Sequence, residues 1–212
     1  EKLENDSYRV RGGDYIARDY DIEPDVSAAC YFYALAAATG KRAMVKRMRK
    51  ESLQGDMKFI SLLEKMGCTV SWECDGRQNL WLKGPDGKLK GMEVKMSDFS
   101  DQALTLAAIA PFADSEVTIT GIAHIRGQES DRIKVIVDEL AKMGILCNEL
   151  PDGVKIHPGT PKNTNIETYN DHRVAMSFAV TGLAGDGMTI LNPMCCKKTF
   201  AGFFDEIDRL EE

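Results

Sequence analysis

An internal repeat places the strongest constraint on how this chain of 212 residues can fold. Three segments share one order of parts, and each opens on an aspartate, at Asp25, Asp101 and Asp171. A charged loop follows each aspartate after 26 to 28 residues, and in the first two segments a Met-Gly pair precedes an Asp-Gly pair by nine residues. Agreement at separate landmarks indicates one structural unit repeated three times.

Each segment has the pattern of a small unit of helices and strands. An aspartate in the N-cap position precedes an Ala-rich helix, and a β-rich stretch such as residues 116–122 follows. An amphipathic helix comes next, at residues 131–143 in the second segment. Two strands joined by an Asp-Gly turn, at residues 75–76 and 152–153, close the unit. The order β-α-β-α-β-β predicts an α/β (α+β) domain with pseudo-threefold repetition.

The third unit stops early. We place the units at residues 22–95, 96–165 and 166–212, and the 14 residues after Lys198 suffice for one helix but not for a closing hairpin. In a closed threefold domain the missing strands must come from elsewhere in a parent polypeptide, and without them one sheet edge stays open. Residues 1–21 have the pattern of the end of another unit, with a strand and a Gly-Gly turn. We interpret the chain as part of a longer protein.

Composition and charge exclude several classes of function. The net charge of −6 disfavours a nucleic-acid partner, although it leaves room for a local basic pocket. The sequence has no run of about 18 apolar residues and no signal-peptide pattern, so neither a membrane span nor a membrane partner is expected. The six cysteines have neither CxxC nor Cys/His metal spacing. We therefore expect reduced thiols in a cytoplasmic protein, with no metal.

The helix N-termini and the charged loops predict an anion site. If the units pack around a pseudo-threefold axis, three helix N-termini converge on one face, where their free N–H groups favour anions. The charged loops line the same face. Guanidinium forks, an ammonium group and a carboxylate are suited to a small phosphorylated or carboxylated ligand and to proton transfer. The polar groups in question are Arg126, Glu129, Arg132, Arg173, Lys197 and Lys198.

Most of these residues also have a purely structural interpretation. N-capping explains all three repeated aspartates, and Glu129 and Arg132 have the spacing of an ordinary i,i+3 pair at a helix start. His172 has the pattern of a hydrogen-bonded structural histidine, and the two lysines could be a solvated pair. Arg173 is different, because an arginine in the first turn of a helix opposes the helix dipole and needs an anion. The residues alone therefore predict an anion-binding α/β repeat domain.

Six short motifs in the same order give a more specific resemblance: "SLQGD", "LLEKMG", "DQALTLAAIAPFA", "GQESDR", "TYNDHRVAM" and "KKTF". Over residues 10–212 the chain resembles the C-terminal half of the 5-enolpyruvylshikimate-3-phosphate synthases. The resemblance implies two inside-out α/β globular domains of three units each, with the active site in the cleft between them. Residues 1–21 would be the tail of the N-terminal domain, residues 22–212 the C-terminal domain, and N-terminal strands would complete the third unit.

The resemblance also implies an activity and a set of site residues. Members transfer the enolpyruvyl group from phosphoenolpyruvate to the 5-hydroxyl of shikimate 3-phosphate and release phosphate, without a metal or organic cofactor. Asp101 matches the carboxylate that takes the proton of the 5-hydroxyl, and Glu129 matches the acid/base that protonates the methylene carbon. Arg132, Arg173 and Lys198 match the cationic clamp around phosphoenolpyruvate.

Two further positions match residues that contact the shikimate ring or its phosphate. They are His124, where some members have asparagine, and Gln128, where many have lysine. The N-terminal domain of the parent chain would supply the rest of the site, including a lysine, a Gly-rich loop and a Ser-Ser-Gln phosphate cradle. Two other functions remain open: enolpyruvyl transfer to a UDP-N-acetylglucosamine acceptor, and a non-catalytic anion-binding domain.

Overall fold

The computed structural model describes residues 1–5, 7–74 and 78–210. Its first unit contains α1 (Val26–Thr39), β1 (Arg42–Val45), α2 (Met57–Lys65), β2 (Thr69–Cys74) and β3 (Gln78–Lys83). The three strands form an antiparallel sheet in the order β1-β3-β2. Both helices of the unit pack against this sheet. Among the described residues no strand precedes α1, so the first unit lacks the leading strand of the predicted order.

The second unit follows the predicted β-α-β-α-β-β order in full. It contains β4 (Glu93–Lys95), α3 (Ala103–Ile109), β5 (Val117–Thr120), α4 (Arg132–Lys142), β6 (Cys147–Leu150) and β7 (Gly153–Ile156). The sheet has the order β4-β5-β7-β6, in which β4 runs parallel to β5 and the other pairs are antiparallel. Since β4 pairs with β5, the second sheet begins at Glu93, before the unit boundary expected after residue 95.

The third unit is the smallest. It contains β8 (Asn165–Ile166), α5 (His172–Ala184), β9 (Thr189–Ile190) and α6 (Phe203–Asp208). Its sheet consists, in the described part of the chain, of the parallel pair β8 and β9. β9 corresponds to β5 of the second unit, but the described residues provide no strand in the position of β7. The residues after Lys198 form α6, as the sequence predicts, rather than a closing hairpin.

The helices at equivalent repeat positions, α1, α3 and α5, pack against one another and form the centre of the core. Every residue of α3 is buried, and alanines on all three helices allow their backbones to approach closely. One buried polar group inside this bundle is satisfied by a neighbouring helix, since the Thr181 hydroxyl of α5 donates to the Ala108 carbonyl of α3 at 2.8 Å. No helix in the described parts of the chain is long and apolar enough to cross a membrane.

An aromatic cluster attaches the third unit to the first. Phe203, at the start of α6, is fully buried and lies edge-on to Tyr31 of α1, with ring centroids 5.7 Å apart. Its ring also contacts Phe32, Phe200 and Phe204. Burial of several aromatic rings is strongly stabilising. The cluster therefore fixes the loop that precedes α6 against the N-terminal half of α1.

The turn between β6 and β7 lies one residue earlier than the sequence predicts. Leu150 pairs with Gly153, so the turn residues are Pro151 and Asp152, and Gly153 belongs to β7. Gly153 is needed for close approach rather than for a turn, because a Cβ atom there would lie 1.8 Å from the Ile119 carbonyl oxygen. The corresponding Asp-Gly turn expected at residues 75–76 lies outside the described residues.

The segment before α1 differs from expectation. The predicted strand and Gly-Gly turn do not form among the described residues of 1–21, where a single bridge joins Lys2 to Tyr8. The chain is held from Asp21 onward, because Arg49 donates to the Asp21 carbonyl at 2.6 Å. Gln54 then bonds both to the Pro24 carbonyl, at 2.9 Å, and to the first N–H of α1, at 2.8 Å. These contacts fix the start of α1.

We expect Gly153→Ala to lower the free energy of unfolding by about 1–3 kcal/mol, the usual cost of overpacking. The added methyl group would press on the β5 backbone, so β5 and β7 would have to separate. Gly87→Ala is the matched control, because nothing lies within 4 Å of a Cβ atom at that position. Denaturant unfolding of both variants is the measurement. Equal stability of the two variants would contradict the close approach at Gly153.

Candidate active site

The N-termini of α1, α3 and α5 meet at one end of the central bundle. Two of the repeated aspartates are N-caps, as predicted. The Asp25 carboxylate accepts from the backbone N–H groups of Ser27 and Ala28, at 2.8 and 3.4 Å. The Asp171 carboxylate accepts from the backbone N–H of Arg173 at 2.9 Å. The side chains at this end belong to all three units, so the predicted convergence of helix starts is confirmed.

Asp101 is not an N-cap, and the capping interpretation is wrong for this residue. An extra 3-10 turn, Ser100–Gln102, separates it from the start of α3, and its carboxylate caps neither element. Its oxygens instead accept from Arg173, at 2.9 Å, and from Arg132, at 3.3 Å. The side chain is 42% exposed. The 3-10 turn thus leaves Asp101 as an accessible carboxylate oriented by two guanidinium groups.

Arg132 joins α4 to α5 through a buried ion pair. Its Nε and Nη2 donate to the two carboxylate oxygens of Asp171, at 2.8 and 3.2 Å. Its Nη1 faces the site, where it donates to Asp101 and to the side-chain oxygen of Gln128. The side chain is 3% exposed. The i,i+3 pair between Glu129 and Arg132 does not form, because Arg132 points away from its own helix toward Asp171.

The buried carboxylate of Asp171 stays ionised. Burial opposes its ionisation, but the Arg132 guanidinium, the backbone N–H of Arg173 and the Ser130 hydroxyl hold its pKa below the ordinary value. A buried charge is tolerated only when such partners replace water. Asp171 therefore acts as an N-cap and as the anchor of Arg132 at the same time.

Glu129 lies between a histidine and a lysine. Its oxygens contact Nδ1 of His172, at 3.0 Å, and the ammonium group of Lys198. Burial acts to raise the pKa of Glu129, but Lys198 and His172 outweigh it, so the pKa lies below its ordinary value. Burial lowers the pKa of His172 despite the nearby Glu129. At neutral pH the imidazole is therefore neutral, and its Nδ1–H donates to an ionised Glu129.

Arg173, at the start of α5, pairs with the anionic carboxylate of Asp101, as its position at a helix N-terminus requires. Its guanidinium donates to Asp101, and its side chain is only 14% exposed. Burial acts to lower the pKa of Arg173, but the Tyr31 oxygen, Asp101 and Asp56 outweigh it, so the pKa is raised and the charge is retained. A cavity of about 50 Å³ adjoins Arg173 and Tyr31. The buried Tyr31 hydroxyl has no hydrogen-bond partner among the described residues.

The two residues matched to acceptor binding lie at the rim of the same group. His124 contacts the hydroxyl of Ser100 through Nε2 at 2.8 Å, next to Asp101 in sequence, and is exposed. Gln128 accepts from Arg132. Direct contacts thus connect Asp101, Arg132, Arg173 and Gln128 in one set and Glu129 and Lys198 in a second, and His124 lies beside the first set through Ser100. Two other cations predicted for this face are placed elsewhere: Arg126 pairs with Asp131 and Glu149, and Lys197 lines a separate groove beside α6.

Sequence reasoning missed a second buried network beneath the site. Asp56, at the start of α2, accepts from the Ser27 hydroxyl at 2.5 Å and from the Gln102 side-chain amide at 2.7 Å. The bond between Asp56 and Gln102 joins the first unit to the second at the residue that follows Asp101. Neither Asp56 nor Gln102 belongs to a periodic pattern. The only sequence signal for them is that each lies in one of the quoted motifs, Asp56 in "SLQGD" and Gln102 in "DQALTLAAIAPFA".

Glu129, Asp171 and His172 also have the composition of a metal site, with potential ligand atoms within 4.8 Å of one another. Their oxygens are already engaged, however. Asp171 accepts from Arg132 through both oxygens, and Glu129 accepts from Lys198 and His172. A divalent cation would lie against two protein cations. We therefore assign these three side chains to the ion-pair network.

We expect Asp171→Asn to lower the free energy of unfolding by about 3–5 kcal/mol at pH 7, because it leaves the Arg132 charge buried and unpaired. The folded-state pKa of Asp171 is lowered, so its stabilisation is present above about pH 4 and disappears as the pH falls through the folded-state value. The difference between wild type and variant should therefore shrink below about pH 4. Denaturant unfolding at several pH values is the measurement, and the exposed Asp86→Asn is the control. A pH-independent difference would contradict the pairing.

Comparison with known proteins agrees with this geometry. The family model described as EPSP synthase (3-phosphoshikimate 1-carboxyvinyltransferase) matches residues 1–207. A 3-phosphoshikimate 1-carboxyvinyltransferase of Nostoc punctiforme is 44% identical over 212 residues, which are 100% of this chain and 49% of the relative. Another from Proteus mirabilis is 39% identical over 97% of this chain and 48% of the relative. The chain thus spans about half the length of the curated relatives it matches.

Solved structures give the same result. An EPSP synthase from Acinetobacter baumannii superimposes with a TM-score of 0.80 at 29% identity, over 93% of this chain and 48% of that one. The enolpyruvyl transferase NikO from Streptomyces tendae has a TM-score of 0.66 at 18% identity, over 89% of this chain and 43% of that one, which shows a shared fold. The family match over nearly the whole chain, the relatives and the fold lead to one conclusion: this chain belongs to the EPSP synthase (3-phosphoshikimate 1-carboxyvinyltransferase) family.

Proposed function

We propose that this chain is the C-terminal half of an enzyme that transfers the enolpyruvyl group of phosphoenolpyruvate to the 5-hydroxyl of shikimate 3-phosphate. The observation that carries the proposal is a pair of accessible carboxylates held by separate cations. Asp101 is bound by Arg132 and Arg173. Glu129 is bound by Lys198. The reaction removes one proton, delivers another and handles ligands with several negative charges, which is what two carboxylates and three cations can do.

Asp101 is the proposed base for the addition step. The 5-hydroxyl oxygen bonds to C2 of phosphoenolpyruvate, and its proton passes to the Asp101 carboxylate. Arg132 and Arg173 fix the position of that carboxylate. The Asp101 oxygen that accepts the proton is therefore oriented before the substrate binds. The 42% exposure of the side chain gives the hydroxyl access from the open face.

Glu129 is the proposed acid for the same step. C3 of phosphoenolpyruvate gains a proton and becomes a methyl group, which completes the tetrahedral intermediate. A proton of the C3 methyl group then returns to the Glu129 carboxylate as the C2–O bond to phosphate breaks, which gives the enol ether. The leaving phosphate takes the proton that Asp101 holds, so both carboxylates are regenerated. Glu129 is ionised while Lys198 and His172 hold its pKa down. When Lys198 turns to a ligand phosphate, the Glu129 pKa rises and the carboxyl can carry the proton.

The proposed clamp for phosphoenolpyruvate consists of Arg132, Arg173 and Lys198. The three cations differ in how much of their charge they can offer to the ligand. Arg173 and Lys198 each bind one accessible carboxylate and can exchange it for a ligand anion. Arg132 uses two nitrogens on Asp171, so only its Nη1 faces the ligand. Gln128 and His124 are the proposed contacts to the shikimate ring or its phosphate. The amide of Gln128 would give hydrogen bonds but no charge, and the ring nitrogens of His124 would give hydrogen bonds.

The N-terminal domain of the same parent chain is the proposed partner. The third sheet supports this, because within residues 1–5, 7–74 and 78–210 no strand pairs with β9 as β7 pairs with β5. An apolar groove runs beside that edge and is lined by Leu183, Met188, Ile190, Phe204 and Ile207. Strands from the partner domain would pair with β9 and cover this groove. We extend the proposal to a cytoplasmic location, which the unpaired thiols of five described cysteines support.

Phosphate release by the full-length enzyme tests the function. We expect turnover with shikimate 3-phosphate and none with a UDP-N-acetylglucosamine acceptor. Asp101→Asn and Glu129→Gln should each lower kcat by at least about a hundredfold, the usual effect of losing a positioned acid or base. Asp98→Asn is the control, since this exposed carboxylate pairs with Lys58 outside the site. Turnover with the UDP-sugar alone would show that the enzyme transfers the enolpyruvyl group to a UDP-N-acetylglucosamine acceptor. No turnover with either acceptor would indicate a non-catalytic anion-binding domain.

We expect Arg173→Ala to raise the KM for phosphoenolpyruvate about tenfold to a hundredfold, because a charge-assisted hydrogen bond contributes about 1.5–3 kcal/mol. Arg126→Ala is the matched control, since it removes a guanidinium that pairs with Asp131 and Glu149 outside the site. Steady-state kinetics with each substrate varied in turn is the measurement. An unchanged KM in Arg173→Ala would remove this residue from the clamp.

A further inference from the structure

The turn that leads into α5 has an unusual backbone. Tyr169 and Asn170 both lie in the left-handed region, with φ of 52° and 56°. The Asp171 N–H donates to the Thr168 carbonyl at 2.8 Å and closes a four-residue turn around them. Two successive positive φ values are normally provided by Asn-Gly or Gly-Gly. A bulky tyrosine in the first of these positions is strained, so other contacts must hold it there.

Glu139 of α4 provides those contacts. Its carboxylate is fully buried and accepts from the Tyr169 hydroxyl at 2.8 Å and from the backbone N–H of Glu167 at 3.3 Å. Lys142 neutralises it at 2.7 Å. A carboxylate at this depth is costly unless it is fully bonded. Two of its three partners belong to the segment that enters the turn, so Glu139 holds that segment in place.

Helix α4 also bonds to the C-terminal end of the turn. Arg132, at the start of α4, binds Asp171 directly after the strained pair. Arg132 and Glu139 are seven residues apart, which is about two helical turns, and therefore lie on one face of α4. The turn is thus attached to a single rigid element on both sides. His172 and Arg173 directly follow this turn, and the side chains of both lie in the candidate site.

We propose that Glu139 and Tyr169 are positioning residues that hold the start of α5, and with it Arg173 and His172, in register with Asp101 and Glu129. In the described part of the chain their side chains bond to each other, to Glu167 and to Lys142, and to none of the candidate site residues. Without the bond between them, the strained turn relaxes toward ordinary backbone angles and the Arg173 guanidinium moves away from Asp101. The kinetic consequence rests on the proposed function, whereas the structural consequence does not.

Two substitutions at Tyr169 separate positioning from stability. Tyr169→Phe removes the hydroxyl and keeps the ring. Tyr169→Asn also removes the bond to Glu139, but asparagine tolerates the left-handed region, so it relieves the backbone strain. Thr181→Val is the matched control, because it removes another buried hydroxyl bond from α5, far from the turn. All three variants are made in the full-length enzyme.

Backbone amide exchange is the first measurement, and it needs no substrate. We expect the Asp171 amide to exchange about tenfold faster or more in Tyr169→Phe, and to be unchanged in Thr181→Val. Steady-state kinetics is the second measurement. We expect Tyr169→Phe to raise the KM for phosphoenolpyruvate about tenfold, with less than a twofold change in the KM for shikimate 3-phosphate. Tyr169→Asn should change both KM values less than about twofold, because asparagine keeps the left-handed turn without strain.

The outcomes distinguish the two proposals. Unchanged exchange at Asp171 in Tyr169→Phe would overturn the attachment of the turn, whatever the kinetics. Faster exchange with an unchanged KM for phosphoenolpyruvate in an active enzyme would overturn the positioning role and leave a structural one. A wild-type enzyme without turnover would refute the proposed function. In that case the exchange of the Arg173 side-chain Nη2–H, which donates to Asp101 in wild type, decides positioning. Faster exchange of this proton in Tyr169→Phe supports the positioning role, and unchanged exchange overturns it.

Discussion

The buried ion pair between Arg132 and Asp171 is the interaction on which the site depends. It lies where α4 of the second unit meets α5 of the third, and both side chains are almost completely shielded from water. Each partner has a further role: Asp171 caps α5, and Arg132 reaches Asp101 with its remaining nitrogen. Because a buried charge without its partner is costly, the two elements are held in one relative position. The fixed distance between Asp101 and Glu129 follows from that position.

The two accessible carboxylates owe their different environments to the elements that carry them. Asp101 is on a 3-10 turn between guanidinium groups, which hydrogen-bond in fixed planes. Glu129 is on the loop before α4 and contacts a neutral imidazole and a flexible ammonium group. A guanidinium does not give up its proton, and Arg132 keeps its bond to Asp101 because its buried pair with Asp171 fixes it. Arg173 and Lys198 can turn to another anion. Asp101 is therefore suited to an invariant orientation and Glu129 to a change of protonation state.

The sequence alone predicts the repeat, the caps at Asp25 and Asp171, and the grouping of Arg132, Arg173 and Lys198, because these depend on local spacing and on the symmetry of the units. The prediction is wrong for Arg126 and Lys197, which lie outside the group. It does not predict side-chain partners across units. Glu129 and Arg132 have the spacing of an i,i+3 pair, yet Arg132 bonds to Asp171, which lies 39 residues further along the chain. The position of Asp101 depends on one extra 3-10 turn. The need for glycine at residue 153 depends on the close approach of the neighbouring strand β5. Such features arise only when the units pack.

The charges of the site balance in the ligand-free state. Asp101, Glu129 and Asp171 face Arg132, Arg173 and Lys198, and each charge has a partner of opposite sign. An anionic ligand can enter only by taking cations from the carboxylates. Asp171 keeps Arg132, because that pair is buried, so Arg173 and Lys198 are the cations that change partner. Glu129 then loses the lysine that helps to hold its pKa low, so its proton affinity rises, while Asp101 keeps its hydrogen bond to Arg132. In the proposed reaction, the binding of phosphoenolpyruvate is therefore itself the event that converts two paired carboxylates into a base and an acid.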